Sequence, residues 1–172
     1  MTQHIFLTGK KHIGKSTLIQ KILDDYKKTA DGFLTVRTKD YLKDQYSVHM
    51  YHLKKKELPN ESNLLFLCGK TDEHTADTFD RLGCNILSMC SDCSLIVMDE
   101  LGPHEADAAL FRKKILNLLD GQTPILGVLQ EPAESFWPEI VNHPKVEIIT
   151  ISEDNRNDRA LLNYIQCKIS SP

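Results

Sequence analysis

HIFLTGKKHIGKSTLI, residues 4–19, decides how the rest of the chain is read. HIFLT is a short apolar run of the kind that forms a buried strand, and it leads straight into Gly9. From Lys15 onward Leu18, Ile19, Ile22, Leu23 and Tyr26 recur at helical spacing. Lys27 and Lys28 are expected in the last turn, where cations complement the helix dipole. Strand, glycine-bounded loop and helix follow one another without a gap. In that context Gly9, Gly14, Lys15 and Ser16 satisfy the whole G-x-x-x-x-G-K-[ST] pattern.

A polyphosphate carries several negative charges, and holding it takes convergent N–H donors more than bulk. A loop that enters a helix N-terminus supplies them, because the first amides of a helix have no internal partner and the dipole adds positive potential. Lys15 is placed to reach the β and γ phosphates, and the Ser16 hydroxyl to coordinate Mg2+. Lys10, Lys11 and His12 make the loop unusually cationic. Either they add attraction for phosphate, or their side chains lie in solvent while the backbone binds. His12 stands where glycine would be easiest if the loop requires a positive φ.

Outward from this unit, GFLTVRT (32–38) and YSVHMYHL (46–53) read as strands of an antiparallel hairpin, joined by the charged stretch KDYLKDQ (39–45). NLLFLC (63–68) reads as another strand. Phe79, Leu82, Ile86, Leu87 and Cys90 share a helical face, and helical spacing returns at Phe111, Ile115, Leu118 and Leu119, closed by Gly121. SLIVMDE (94–100) is apolar without alternation, which fits a strand covered on both faces of a parallel sheet. PILGVL (124–129) and VEIITI (146–151) are further strands, SFWPEIVNH (135–143) a short helix or turn, and RALLNYIQCKI (159–169) a terminal helix. Alternating strands and helices imply right-handed crossovers and an α/β layered fold with a mostly parallel sheet.

SLIVMDE ends in two carboxylates. Asp99 is placed to hold the water shell of a Mg2+ ion opposite Ser16, and Glu100 to orient or deprotonate an attacking water. Neighbours in a strand point to opposite faces, so both can serve one nucleotide only if the strand ends around Asp99, and Leu101-Gly102-Pro103 supports that ending. An acidic strand end followed by a first helical turn is the plainer alternative. Pro103 suits a helix N1 position, with Glu105 and Asp107 complementing the dipole.

At 172 residues one domain spanning 1–172 is expected, able to bury roughly 70% of its unfolded surface. A formal net charge of −3 offers no field for nucleic acid, and Lys54 to Lys56 is the longest run of like charge. No apolar run approaches the roughly 20 residues of a membrane span, and the N-terminus does not read as a signal peptide, so a cytoplasmic protein is expected. Cys90-Ser-Asp-Cys93 is the one close pair among five cysteines, and without a second ligand pair at similar spacing reduced thiols outweigh a structural zinc. His49 and His52 fall on opposite strand faces, and His4, His74 and His143 read as surface or satisfied structural groups.

FLTGKKHIGKSTLI (6–19), DGFLT (31–35), LIVMDELGPHE (95–105), ILGVL (125–129) and EDNRN (153–157) together resemble the small P-loop nucleoside-triphosphatases, the cancer-related nucleoside-triphosphatase family. The likeness runs to about Asn157 and is weak between Val36 and Thr75. The resemblance implies a three-layer, RecA-like P-loop NTPase fold, with ATP, GTP and other triphosphates hydrolysed slowly to diphosphates with Mg2+ and little base preference. Carried over by position, the phosphate loop comprises Gly9, Lys10, Lys11, His12, Ile13, Gly14, Lys15, Ser16 and Thr17. Lys15 and Glu100 are then catalytic, Ser16 and Asp99 metal-side ligands (Asp99 through water), and Asn155 and Arg156 a loop beside the base or ribose. An Asn-Arg turn that caps a helix is the alternative for that last pair. The chain departs from the family where Lys10, Lys11 and His12 replace Pro-Pro-Gly, where Pro103 and His104 replace Lys-Met, and where Val36 and Arg37 replace an acidic position. The missing lysine leaves open which cation, from this chain or a partner, stabilises the transition state.

Two other functions remain. A kinase on the same loop would need an acceptor pocket and an arginine-rich lid. Of Arg37, Arg81, Arg112, Arg156 and Arg159 only the last two are close in sequence, and Glu100 beside Asp99 favours water as acceptor. A nucleotide-dependent binding module with negligible turnover is the other, although no N-K-x-D element is present. The expected partner is a nucleoside triphosphate, on a monomer without nucleic acid or membrane.

Overall fold

The structure is a computed structural model and describes residues 3–55, 57–70 and 74–170. Seven strands, β1 (His4–Thr8), β2 (Ala30–Leu42), β3 (Gln45–His52), β4 (Leu64–Leu67), β5 (Leu95–Leu101), β6 (Ile125–Leu129) and β7 (Val146–Thr150), form one sheet in the order β4-β3-β2-β5-β6-β1-β7. The ladders from β2 through β5, β6 and β1 to β7 are parallel, and β2-β3 and β3-β4 are antiparallel. Of the helices, α1 (Lys15–Asp25) and α6 (Arg159–Ser170) cover one face. The other carries α2 (His74–Ser88), α3 (Ala109–Asp120) and the short α4 (Ala133–Phe136) and α5 (Pro138–Val141).

Strand alternation sends side chains into two cores. Phe6, Ile96, Met98 and Ile125 join Phe79, Phe111, Ile115 and Trp137 on one side. Ile5, Leu7, Leu95, Val97, Leu126 and Val128 join Leu18, Ile22, Ile165 and Ile169 on the other. Phe111, Ile115 and Leu119 on α3 are fully buried, worth about 2 kcal/mol each. That burial, more than helix propensity, holds α3 to the sheet.

Several sequence expectations shift. α1 stops at Asp25, so Lys27 and Lys28 lie beyond it. Tyr26 is extended, its hydroxyl donating to Ser94 O (3.2 Å), and the Lys28 ammonium donates to Ser170 O on α6 instead. The hairpin ladder reaches Leu42↔Gln45, which shortens the charged turn to Lys43 and Asp44. α2 ends before Cys90, which lies in a single 3-10 turn. Lys56 falls outside the described residues.

Pro103, Glu105 and Asp107 are not at a helix start, because α3 begins at Ala109. Tertiary bonds hold the preceding segment as a turn: the Trp137 indole donates to Gly102 O (3.0 Å), and the Gln130 amide to Leu101 O (2.8 Å). His4 is buried neutral, its pKa lowered to about 4 by burial, with its ring between Leu119 O (2.9 Å) and the Ile125 amide (3.2 Å). His49 bonds Asn63 and Ser47, and His52 meets Asp31, so both are structural. The five cysteines are free thiols, with Cys93 donating to Cys90 O at 3.1 Å. Among the described residues no three His, Cys, Asp or Glu side chains are placed to share a metal, and no helix is long and apolar enough to cross a membrane.

Gly32 sets how closely β2 approaches β5. It has φ +135°, it pairs with Val97, and an added Cβ would collide with the Val97 carbonyl oxygen and lie 2.7 Å from its amide nitrogen. A Gly32→Ala substitution is expected to cost about 3 kcal/mol or more, read as a fall in Tm of about 6–12 °C. An unchanged Tm refutes the close approach.

Candidate active site

The C-terminal ends of the parallel strands carry the chemistry-bearing residues, as the crossovers of an open α/β sheet require. β1 passes into the loop at Gly9 (φ +134°), which turns through His12 (φ +63°) and Gly14 (φ +110°) into α1. His12 adopts the left-handed backbone expected from its position in the loop. Gly9 sits against the segment after β7, where a Cβ would run into Ile151 O. Ile13 anchors the loop in the core beside Ile5, Leu7 and Leu18.

Lys15 is buried and curls back over the loop, its ammonium donating to Gly9 O (2.7 Å) and Lys10 O (3.0 Å). Ser16 Oγ donates to Asp99 Oδ1 at 3.1 Å. This brings the end of β5 to the start of α1 across 83 residues of sequence. Burial pushes the Asp99 carboxyl up to about 6, against the Ser16 hydrogen bond that lowers it. Paired hard oxygens, one a carboxylate that pays a desolvation cost when ionised, are a donor set suited to a divalent cation.

β5 does not end at Asp99; it continues to Leu101. Its pairing with β6 instead slips between Met98↔Gly127 and Leu101↔Leu129, so three steps on β5 face two on β6. That irregularity breaks the strict alternation of faces and lets Glu100 line the same hollow as the loop. The Thr35 hydroxyl clamps the slipped segment, donating to Asp99 O (3.2 Å) and accepting from the Glu100 amide (3.0 Å). Burial raises the Glu100 pKa, and Lys15, Lys11, a hydrogen bond from Gln130 and His12 oppose the rise.

The hollow, of about 420 Å³, is lined by Lys11, His12, Gly14, Lys15, Ser16, Thr17, Arg37, Glu100 and Gln130. Lys11 and His12 thus face it, while Lys10 contributes its carbonyl to Lys15. A second hollow adjoins it along α1, with Gly14, Thr17, Leu18, Lys21, Arg156 and Asn157 in its wall. Arg156 therefore stands beside the loop that leads into α1. Asn155 spends its side chain locally, accepting from the Ser152 amide (2.8 Å) and donating to Thr150 O (2.9 Å).

Three residues that the sequence analysis did not assign to the site belong to this neighbourhood. Gln130 follows β6, and only the strand order puts β6 between β1 and β5. Arg37 shares a β2 face with Phe33 and Thr35, a period-two signal visible in the sequence once Thr35 is known to meet Asp99. Glu105, read as helix-dipole chemistry, is buried, with its pKa raised to about 7 by that burial against hydrogen bonds from its own amide and that of Gly102.

The sequence model of the NTPase family matches residues 4–165. The chain belongs to the NTPase family. It is 27% identical over 170 residues to nucleoside-triphosphatase THEP1 of Thermotoga maritima, covering 94% of this chain and 92% of that protein. It is 28% identical over 191 residues to the human cancer-related nucleoside-triphosphatase, covering 99% of each. The crystal structure of THEP1 from Aquifex aeolicus superimposes with a TM-score of 0.77 at 20% identity, over 98% of this chain and 99% of that one. The solution structure of the human protein superimposes with a TM-score of 0.66 at 25% identity, over 99% and 100%. The fold is accordingly the mostly parallel α/β P-loop NTPase architecture, with the β2-β3-β4 ribbon as its antiparallel extension.

Proposed function

We propose that this protein hydrolyses nucleoside triphosphates to diphosphate and phosphate, with Mg2+ and with little preference for the base. The observation that carries the reading is the convergence of Lys15, Ser16 and Glu100 on one hollow at the mouth of α1, with the buried Asp99 carboxylate behind Ser16. The loop amides and the buried Lys15 ammonium hold the β and γ phosphates. Ser16 and Asp99 would hold Mg2+, which supplies charge neutralisation at the phosphate oxygens. Glu100, with Gln130 beside it, orients a water in line with the γ phosphorus and takes its proton. The second hollow, beside Thr17, Lys21, Arg156 and Asn157, suits the base and ribose, and its flexible charged side chains offer no fixed reader of one base.

Phosphate release from ATP, GTP, CTP and UTP tests this directly. Turnover of all four within about tenfold of one another is expected, and release should vanish when Mg2+ is chelated. Protons compete with the ion for Asp99: its carboxyl is ionised above pH 6 and increasingly protonated below. The Mg2+ needed for half-maximal rate should therefore be flat above about pH 7 and rise by about tenfold per pH unit well below 6. Turnover without divalent ions, or absent turnover of every triphosphate, refutes the reading.

A further inference from the structure

We propose that Arg37 is a further catalytic residue, the cation that meets the γ-phosphate oxygens as hydrolysis proceeds. The inference rests on the hydrolase reading above and adds to it a group that Lys15 and the loop do not replace. Arg37 lies in the wall of the phosphate hollow together with Lys15, Ser16 and Glu100. It reaches there because β2 runs on past the carboxylates of β5. Leu34 pairs with Asp99, Thr35 bonds both sides of the Asp99–Glu100 peptide, and Arg37 follows two residues later on the same face.

Its guanidinium is held in place without being neutralised. It lies 4.1 Å from the centroid of the Tyr46 ring, a residue of the neighbouring strand β3, and the Lys39 ammonium lies 4.8 Å from the same centroid. A cation on an aromatic face keeps its charge and its donors. Among the described residues no carboxylate forms an ion pair with Arg37. Of the other arginines, Arg112 is paired with Glu139 over Trp137, Arg81 lines a separate hollow between β4 and α2, and Arg156 lines the second hollow along α1 and not the one that holds Glu100. Two cations sharing one ring also repel each other, and an anion entering the hollow relieves that repulsion.

In the reaction the water oxygen bonds to the γ phosphorus as the bond to the β–γ bridging oxygen breaks. The proton goes to Glu100, and the electron pair leaves with the diphosphate. Arg37 changes no bond and stays protonated throughout. Its fork of N–H donors matches the equatorial γ oxygens, whose charge is redistributed in the transition state, so its contribution is made there more than in the bound substrate.

Arg37→Gln is expected to lower kcat by about a hundredfold with KM for ATP within about threefold. Affinity for ADP should be unchanged, and affinity for ADP plus aluminium fluoride, which imitates the transferring phosphoryl group, should fall at least tenfold by calorimetry. Arg37 is exposed, so the ADP affinity doubles as a check that the fold is intact. Tyr46→Leu, which removes the platform and keeps the cation, should lower kcat by about three- to tenfold. If the wild type turns over and Arg37→Gln matches it in kcat and in aluminium fluoride binding, the role of Arg37 is overturned and the hydrolase reading stands. If the wild type hydrolyses nothing, the hydrolase reading itself fails and Arg37 falls with it.

Discussion

Glu100→Gln is expected to lower turnover by about a hundredfold while leaving nucleotide affinity within about threefold. The substitution preserves shape and the side-chain contact with Gln130 but removes the basic oxygen. Burial makes Glu100 a stronger base than an exposed glutamate, while Lys15, Lys11 and His12 oppose that rise in pKa and favour the ionised form. A group with that balance accepts a proton from water more readily than an ordinary carboxylate and is still available to do so. Single-turnover phosphate release, alongside calorimetry with ADP, separates the two quantities. Equal rates for variant and wild type would remove Glu100 from the mechanism.

Lys15→Ala is expected to act on binding itself, weakening Mg-ADP and Mg-ATP by about a hundredfold, the equivalent of about 3 kcal/mol for a charge-assisted contact. Two effects add. The phosphates lose an ammonium, and the carbonyls of Gly9 and Lys10 lose the donor that closes the loop around it. Calorimetric titration with both nucleotides reads the loss, and affinity within threefold of wild type would show that the phosphates lie elsewhere. Because Lys15 is buried, Lys15→Met, which retains the stem, separates the charge from the packing.

These expectations draw on residues that the sequence exposed to different degrees. The conformation of the glycine-bounded loop was legible because its demands are local. Gly9 and Gly14 take positive φ, Lys15 and Ser16 follow at fixed offsets, and apolar residues at helical spacing start at once. Asp99 and Glu100 were legible as a pair, but the way the backbone places both beside the start of α1 was not. The strand runs on to Leu101, and the slip against β6 does what a strand ending at Asp99 was expected to do. Asn155 was reached through resemblance, and the structure turns its amide to the local backbone and sets Asn157 beside Arg156 at the hollow.

Glu105 shows the limit most clearly. Its spacing before an amphipathic stretch fits the first turn of a helix, yet the indole of Trp137 and the amide of Gln130 hold the neighbouring backbone in a turn and Glu105 is buried. Nothing within ten residues of Glu105 records a tryptophan that arrives from after β6.

By itself the sequence determined the strand, glycine-bounded loop and helix that open the fold, the α/β alternation, the antiparallel hairpin and the acidic strand end. All of these follow from backbone preferences and hydrophobic period over a few residues. Tertiary structure alone decided that β6 lies between β1 and β5, that Gln130 reaches Glu100, and that β2 carries Arg37 past β5 into the hollow. The order of strands is settled by how two apolar faces are covered at once, a condition on the whole chain that no local pattern encodes.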